Sequence, residues 1–377
     1  MLKIGFDAKR FFHNQTGLGN YSRDLIRILR TYYPEQTYLL YTPKLGKSHY
    51  NNLVPSDIVK QPTGFINNIL SSHWRSSRIV NDLDLDKVDI YHGLSGEIPR
   101  GLENTSIRSV VTIHDLIFIR YPELYKKIDR TLYHKKFKYA CDHADQIVAI
   151  SEQTKQDIIA FFHIPESKIK VIYQGCHESF KTVKTEQEKQ DLISKLGLPK
   201  EFILNVGTIE PRKNALSIVE AIVDKDISLV IVGKQTSYSK EIQAYVTQHQ
   251  MEDRVIFLQG LSMQELSVLY SLATIFVYPS IFEGFGIPII EALYSGTPVI
   301  TSKSGVFPEA GGPFSCYVDP NDINQLGEAV DTILNSTEKQ QEMREKGLEY
   351  AQRFNDGLLA EQWMNLYKNL GNENRIF

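Results

Sequence analysis

Glu283 and Glu291 stand eight residues apart in the stretch TIFVYPSIFEGFGIPIIEALYSGTPVIT, which runs from Thr274 to Thr301. Two carboxylates this close can share acid and base work or accept hydrogen bonds from a polyhydroxylated ligand. A second group with chemical capacity is Arg212-Lys213, two adjacent cations in the segment Gly207-Thr208-Ile209-Glu210-Pro211-Arg212-Lys213-Asn214. A guanidinium grips phosphate oxygens in a planar fork and an ammonium adds a point charge, so the pair reads as an anion clamp. His114-Asp115 offers a ring nitrogen and a carboxylate for hydroxyl groups. No second His lies at ligand spacing from it, so a metal is not suggested. Near the amino terminus, Gly17 and Gly19 precede a helical pattern, where backbone N–H groups approach an anion under a favourable helix dipole. Ser22 replaces the third glycine of G-x-G-x-x-G, which weakens a dinucleotide reading and leaves phosphate contact or a plain helix entry.

These residues need a scaffold that brings strand ends together, and the hydrophobic pattern supplies one. Short apolar runs are predicted as strands at Leu2 to Phe6, Tyr38 to Tyr41, Val88 to Tyr91, Ser109 to Ile113, Gln146 to Ile150 and Lys170 to Tyr173. A second series follows at Phe202 to Val206, Ser228 to Val232, Val255 to Leu258, Thr274 to Tyr278, Pro298 to Thr301 and Cys316 to Val318, most of them separated by helical stretches. Alternation of this kind predicts an α/β fold with two doubly wound parallel sheets. His114, Gly207 and Glu283 then fall just beyond the carboxyl ends of strands, where such sheets bind ligands. Pro288 suits the first turn of a helix from Pro288 to Tyr294 that places Glu291 within two turns of Glu283. The domain limits expected are 1–175, a polar and charged linker at 176–200, a second domain at 201–355 and a final helical segment at 356–377. On that segment Leu359, Trp363, Leu366, Tyr367 and Leu370 form an apolar face that needs a partner.

The 377 residues carry 42 Lys and Arg against 45 Asp and Glu, with charge unevenly divided. Residues 1–180 hold 24 basic and 19 acidic side chains, leaving 18 and 26 for the remainder. A basic first half suits an acidic partner such as a phosphorylated lipid or membrane surface, and equally a purely solubilising role. The stretch Leu124 to Tyr139 sharpens this, with Leu124, Ile128, Leu132 and Phe137 on one helical face and Lys126, Lys127, Arg130, Lys135, Lys136 and Lys138 on the others. It reads as a core helix with a solvated outer face or, alternatively, as a peripheral membrane contact. Nothing points to nucleic acid. Asp82-Leu83-Asp84-Leu85-Asp86 contains the D-x-D pattern of some metal sites, but it precedes a strand, so a solvated turn is the expectation. Cys141, Cys176 and Cys316 are isolated, no apolar run reaches the roughly 18 residues that span a bilayer, and no signal peptide opens the chain. A cytoplasmic location, with peripheral attachment to the inner face of the membrane as an option, is therefore expected.

Taken together, the motifs resemble the retaining glycosyltransferases of family GT4, also described as glycosyl transferases group 1, which have the GT-B fold. The E-x7-E spacing of Glu283 and Glu291, the opening Glu283-Gly284-Phe285-Gly286-Ile287-Pro288, the Arg212-Lys213 pair, the Gly17/Gly19 loop and the Trp363 helix occur in the family's order. The resemblance covers nearly the whole chain and is densest from 202 to 320. It implies two Rossmann-like domains facing a central cleft, with a carboxyl-terminal helix crossing back to the first domain.

It also implies roles. Glu283 should bind hydroxyls of the donor sugar near the reacting carbon, helped by Gly284 and the backbone of Phe285, Gly286 and Ile287. Glu291 should accept hydrogen bonds from the ribose. Arg212 and Lys213 should neutralise the donor diphosphate, with Gly207, Gly17 and Gly19 nearby and Gly19 giving a backbone N–H. His114 should touch the sugar at its 6-hydroxyl, supported by Asp115. The implied reaction is metal-independent, cofactor-free transfer of a hexose, mannose included, from a GDP- or UDP-linked donor to a glycan or lipid-linked acceptor in cell-surface polysaccharide synthesis. A nucleotide-sugar epimerase of the same architecture and an inactive nucleotide-sugar-binding protein are the alternatives. Acceptor choice is expected to lie in first-domain loops, Lys44 to Ser76 especially.

Overall fold

The computed structural model describes residues 1–46, 49–64, 67 and 70–372. Part of the Lys44 to Ser76 region and the last five residues of the 356–377 segment therefore lie outside the described residues. The chain divides into two compact units, one formed by Met1–Gly175 with Asn355–Phe377 and the other by Cys176–Phe354.

The first unit is built on seven parallel strands: β1 (Lys3–Asp7), β2 (Thr37–Tyr41), β3 (Val59–Lys60), β4 (Ile90–Gly93), β5 (Arg108–Ile113), β6 (Gln146–Ala149) and β7 (Ile169–Val171). Their order is β3-β2-β1-β4-β5-β6-β7, so the winding reverses between β1 and β4. The two-residue β3 is too short to leave a periodic trace in the sequence. The second unit holds β8 (Phe202–Val206), β9 (Ser228–Val232), β10 (Val255–Leu258), β11 (Ile275–Tyr278), β12 (Val299–Ser302) and β13 (Cys316–Val318) in the order β10-β9-β8-β11-β12-β13. The reversal here lies between β8 and β11, and the buried Asn205 amide donates to the Val277 carbonyl across it at 2.8 Å. Strands such as FILNV and IFVY are buried on both faces, as parallel sheets covered by helices require.

The helix Asp356–Asn372 belongs to the first unit. Leu359, Trp363, Leu366, Tyr367 and Leu370 are all buried in one core with Ile4, Phe6, Ile26, Leu29 and Tyr38. Its entry is fixed by Asp356, whose carboxylate lies 2.8 Å from Arg27 on the helix Gly17–Tyr32.

Three expectations are corrected. The 176–200 segment is not a linker but the start of the second unit. Its helix Glu186–Leu196 carries a capping box from Thr185 and Glu188, buries Leu192 and packs on the helix Met263–Leu272. The Asp82–Asp86 turn is the end of a helix, Ile79–Leu85, because its carboxylates have local donors: the Trp74 indole reaches Asp82 at 2.6 Å and the Tyr41 hydroxyl reaches Asp86 at 2.7 Å. In the basic helix, Lys127–His143, the apolar face read from the sequence points outward except at Phe137. Ile128 is 83% exposed and Leu124 and Leu132 are 48% exposed, while Tyr133, Phe137, Ala140 and Cys141 face the core. The aromatic rings decide the phase, since Tyr133 and Phe137 both pack edge-on against Phe118.

Because Trp363 is fully buried at the centre of the first unit's core, Trp363→Ala should lower the unfolding free energy by about 3–5 kcal/mol. Denaturant titration followed by circular dichroism checks this, and an unchanged midpoint would exclude the packing role of the helix.

Candidate functional site

A close polar cluster stands at the β8/β11 reversal. Arg212 and Lys213 lie on a single 3-10 turn, Pro211–Lys213, immediately beyond β8, started by Pro211 and stopped by Asn214 at φ 55°. Glu283 lies in the loop beyond β11. Its Oε1 atom receives Lys213 Nζ at 2.5 Å, Arg212 at 2.8 Å, the Ser280 hydroxyl at 2.8 Å and the Tyr278 hydroxyl at 2.9 Å. Among the described residues nothing engages Oε2. Arg212 also pairs with Glu210 at 2.7 Å and donates to the Phe282 carbonyl, and Lys213 donates to the Tyr278 hydroxyl. The side chains of Arg212, Lys213 and Glu283 are 17%, 13% and 12% exposed, so the charges are largely withdrawn from water yet reachable.

Electrostatics follow from this geometry. Burial alone would raise the Glu283 carboxyl, but Lys213 and Arg212 outweigh it and hold it down at about 2. Lys213 is lowered, because burial and the charge of Arg212 together exceed the relief from Glu283.

Glu291 has the opposite environment. It is buried in the helix Ile287–Tyr294 and accepts from the Tyr270 hydroxyl at 3.0 Å. Desolvation, only partly offset by Tyr270, pushes its carboxyl up to about 7. The helix starts at Gly286 without a side-chain cap; Pro288 has no N–H to satisfy and the Ile289 N–H donates to the Gly286 carbonyl at 2.9 Å. Phe285 is a core residue, edge-on to Phe354 at 5.6 Å.

Gly207 leaves β8 at φ +149°, and a Cβ on Gly233 would lie 1.7 Å from the Gly207 carbonyl oxygen. Only two glycines allow these strand ends to touch. Next to them is an open cleft of about 560 Å³ lined by Val232, Gly233, Lys234, Gln259, Gly260, Leu261 and Leu266. It joins the cation loop directly, because the Ile209 N–H donates to the Lys234 carbonyl at 3.0 Å.

The remaining sequence-derived candidates lie in the first unit. His114 follows β5; its Nε2 is 2.9 Å from the Leu94 carbonyl, its Nδ1 is 3.2 Å from the Gln174 amide nitrogen, and Tyr21 packs edge-on at 4.6 Å. Asp115 accepts from the Ile117 N–H at 3.1 Å and so shapes the turn after β5. Gly17 opens its helix. The Gly19 N–H is already engaged by Asn14 Oδ1 at 3.1 Å and the Thr16 carbonyl at 2.9 Å, and a Cβ there would fall 1.9 Å from the Asn14 carbonyl. Close packing of the loop thus accounts for Gly19.

Sequence reasoning missed Tyr278, Ser280, Tyr270, Asn14, Gln174 and the β9/β10 cleft. Tyr278 and Ser280 flank Pro279 at a strand end and were within reach of the rim argument. Tyr270 and Gln174 meet their partners only through the fold.

The family described as Glycosyl transferases group 1 matches residues 186–350, and Glycosyltransferase Family 4 matches residues 16–180. The chain is 29% identical to O-antigen chain mannosyltransferase B of Escherichia coli over 74% of each chain. It is 32% identical to O-antigen chain mannosyltransferase RfbU of Salmonella typhimurium over 59% of this chain and 60% of that one. Anabaena Alr3699/HepE, solved in complex with UDP, has the same fold, with a TM-score of 0.77 at 19% identity, covering 98% of this chain and all of that one.

The raised carboxyl of Glu291 has a measurable consequence. Between pH 4.5 and about 7 the folded protein keeps a proton that the unfolded chain has lost, so this group's contribution to stability falls as pH rises and levels off above 7. The unfolding free energy of wild type relative to Glu291→Gln should therefore drop by roughly 3 kcal/mol across that window. Urea titrations at a series of pH values check it; a flat difference would remove the assignment.

Proposed function

The chain belongs to the GT4-type glycosyltransferases of the glycosyl transferases group 1 family, and from that premise we propose that it transfers a hexose, mannose in particular, from a nucleoside-diphosphate sugar to a growing cell-surface glycan, with retention of configuration and without a metal. The observation that carries the donor reading is the pair of largely buried cations at the β8/β11 reversal, both held against one oxygen of Glu283 beyond the strand ends. A diphosphate bound there would face both cations. As it departs, negative charge grows on the leaving oxygen, and fixed Arg, Lys and helix amino-terminal dipoles stabilise it without reorganising.

The other roles follow from what each group has free. Glu283 keeps Oε2 open for sugar hydroxyls while Oε1 is held by four donors. Its depressed pKa keeps it an acceptor, which fits hydroxyl binding better than proton donation. Glu291, once ionised, can accept from two ribose hydroxyls. The β9/β10 cleft has room for a nucleobase. The mannosyl assignment draws on the two O-antigen relatives, and the nucleotide on the UDP complex of Alr3699/HepE.

Arg212→Ala should lower turnover of GDP-mannose or a UDP-hexose by roughly 10²- to 10³-fold in a folded protein, and wild-type turnover should persist in excess EDTA. Radiolabelled sugar transfer to a membrane glycolipid extract measures both. Full activity in Arg212→Ala removes the site, and loss in EDTA restored by magnesium removes the metal-independent mechanism.

The acceptor side is proposed to meet an anionic bilayer, where the chain would work from the cytoplasmic face. Among the described residues no helix is long and apolar enough to cross a membrane. The helix Lys127–His143 instead presents Ile128 and Leu132 outward, and between Glu123 and Lys138 six cations stand against two carboxylates. An apolar strip rimmed by Lys and Arg suits insertion at the headgroup level. Vesicles containing phosphatidylglycerol should sediment with the wild type and at least tenfold less with Ile128→Asp; equal binding to phosphatidylcholine would exclude the electrostatic part.

A further inference from the structure

We infer that Tyr270 is a positioning residue for the nucleotide: it holds Glu291 by one carboxylate oxygen, leaves the other for the ribose, and so makes donor binding release a proton. This rests on the reading that Glu291 meets the ribose. Every group involved belongs to the second unit. Glu283 and Glu291 are both largely buried, yet they are supplied differently. Glu283 has two cations and two hydroxyls on one oxygen. Among the described residues the only partner of Glu291 is the Tyr270 hydroxyl, 3.0 Å from Oε2. Oε1 has no protein donor and is not sealed inside the core.

The hydroxyl is held still. Phe180 packs edge-on to the Tyr270 ring at 5.5 Å, Phe276 lies at 5.1 Å, and Thr297 Oγ1 donates to the Tyr270 carbonyl at 2.7 Å. Burial raises the Tyr270 hydroxyl well above its ordinary value, so it stays a donor. The elements packed on the helix Ile287–Tyr294 bring Glu291 no charge. The helix Thr337–Ala351 directs Arg344 to the Gly296 carbonyl and Tyr350 to the Glu309 carbonyl of the helix Phe307–Gly311. The turn Glu178–Lys181 sets Lys181 over the Tyr294 ring, Glu265 of the helix Met263–Leu272 pairs with Lys195, Tyr278 of β11 is bound to Glu283, and β12 has no titratable side chain. A neutral carboxyl gives one oxygen to its own proton, whereas a carboxylate can accept both hydroxyls of a ribose diol. Two hydrogen bonds to the charged form favour it, so the proton passes from the carboxyl to solvent as the diol arrives, and no bond of the donor is made or broken. Since burial holds the empty-site carboxyl up at about 7, affinity falls as pH drops below neutrality and levels off above it.

Calorimetric titration of the full chain with GDP-mannose and with UDP-glucose, without acceptor, tests this, because neither has a phosphate group that titrates near neutrality. The donor that binds should do so about tenfold more tightly at pH 8 than at pH 6. Heats compared in two buffers of different ionisation enthalpy should give about one proton released at pH 6 and almost none at pH 8. Glu291→Gln should flatten the profile. Tyr270→Phe, which removes the hydroxyl and keeps the ring, should move the midpoint up by roughly half a pH unit or more, weaken binding at pH 7 and regain most of the affinity at pH 8.5. A role in packing alone would leave the midpoint where it is. An unmoved midpoint in Tyr270→Phe, a wild-type affinity independent of pH, or a slope that survives in Glu291→Gln overturns the inference. The ribose placement is judged apart, at pH 8, by comparing UDP and GDP with their 2′,3′-dideoxy forms. Equal binding of both forms by the wild type sinks that placement, whereas weaker binding of the dideoxy form with a flat pH profile sinks the proton release alone.

Discussion

Four donors converge on one oxygen of Glu283, and the organisation of the second unit's rim follows from the need to keep that buried carboxylate charged. A carboxylate out of water is tolerated only when charge and hydrogen bonds replace hydration. Lys213 and Arg212 come from the turn after β8, while Tyr278 and Ser280 come from the end of β11, so the carboxylate ties the two sides of the sheet reversal. The backbone repeats the tie: the Arg212 carbonyl accepts from the Ile281 N–H at 2.9 Å. Ser302 and Thr301 then fasten the end of β11 to β12. The positive groups are thus held in place before any anion arrives, which is the condition under which fixed dipoles and charges lower a barrier.

The first unit solves a different problem, since the polar chain beside its final helix is uncharged. His92 is buried and its imidazole is pulled down to about 3, chiefly by desolvation, so it serves as a neutral donor and acceptor between Tyr367 and Thr112. Every member of that chain has a partner, the state in which a buried network fixes one arrangement instead of several. Arg75 shows how charge is handled where it does occur, with a forked contact to Asp7 at 3.0 Å and a second carboxylate, Glu97, at 2.9 Å.

Much of this was legible in the sequence for a physical reason: buried parallel strands are short, apolar and bounded by turn residues. Phe202–Val206, Ser228–Val232, Val255–Leu258 and Cys316–Val318 fall where the apolar runs place them. Glu283, Arg212 and Lys213 could be paired as neighbours because each follows a strand that ends at one rim. The partners that tune them could not. Tyr270 and Gln174 come from segments whose own pattern records only burial. The phase of the helix Lys127–His143 was misread because leucine and isoleucine at four-residue spacing outweighed aromatic rings in the pattern. In the structure, packing against Phe118 reverses that weighting. The polar composition of 176–200 suggested a linker, although a capping box and one buried leucine suffice to dock a helix.

The final helix gives the chain an order of assembly. Every residue of the second unit is synthesised before Asn355, so that unit can close its core while the chain is still being made. The first unit has its sheet early but lacks Leu359, Trp363, Tyr367 and Leu370 until the end. During synthesis its central strands wait with an apolar groove open over Ile4, Phe6 and Leu29. The half of the protein translated first is therefore the half whose core is completed by residues made after the whole second unit.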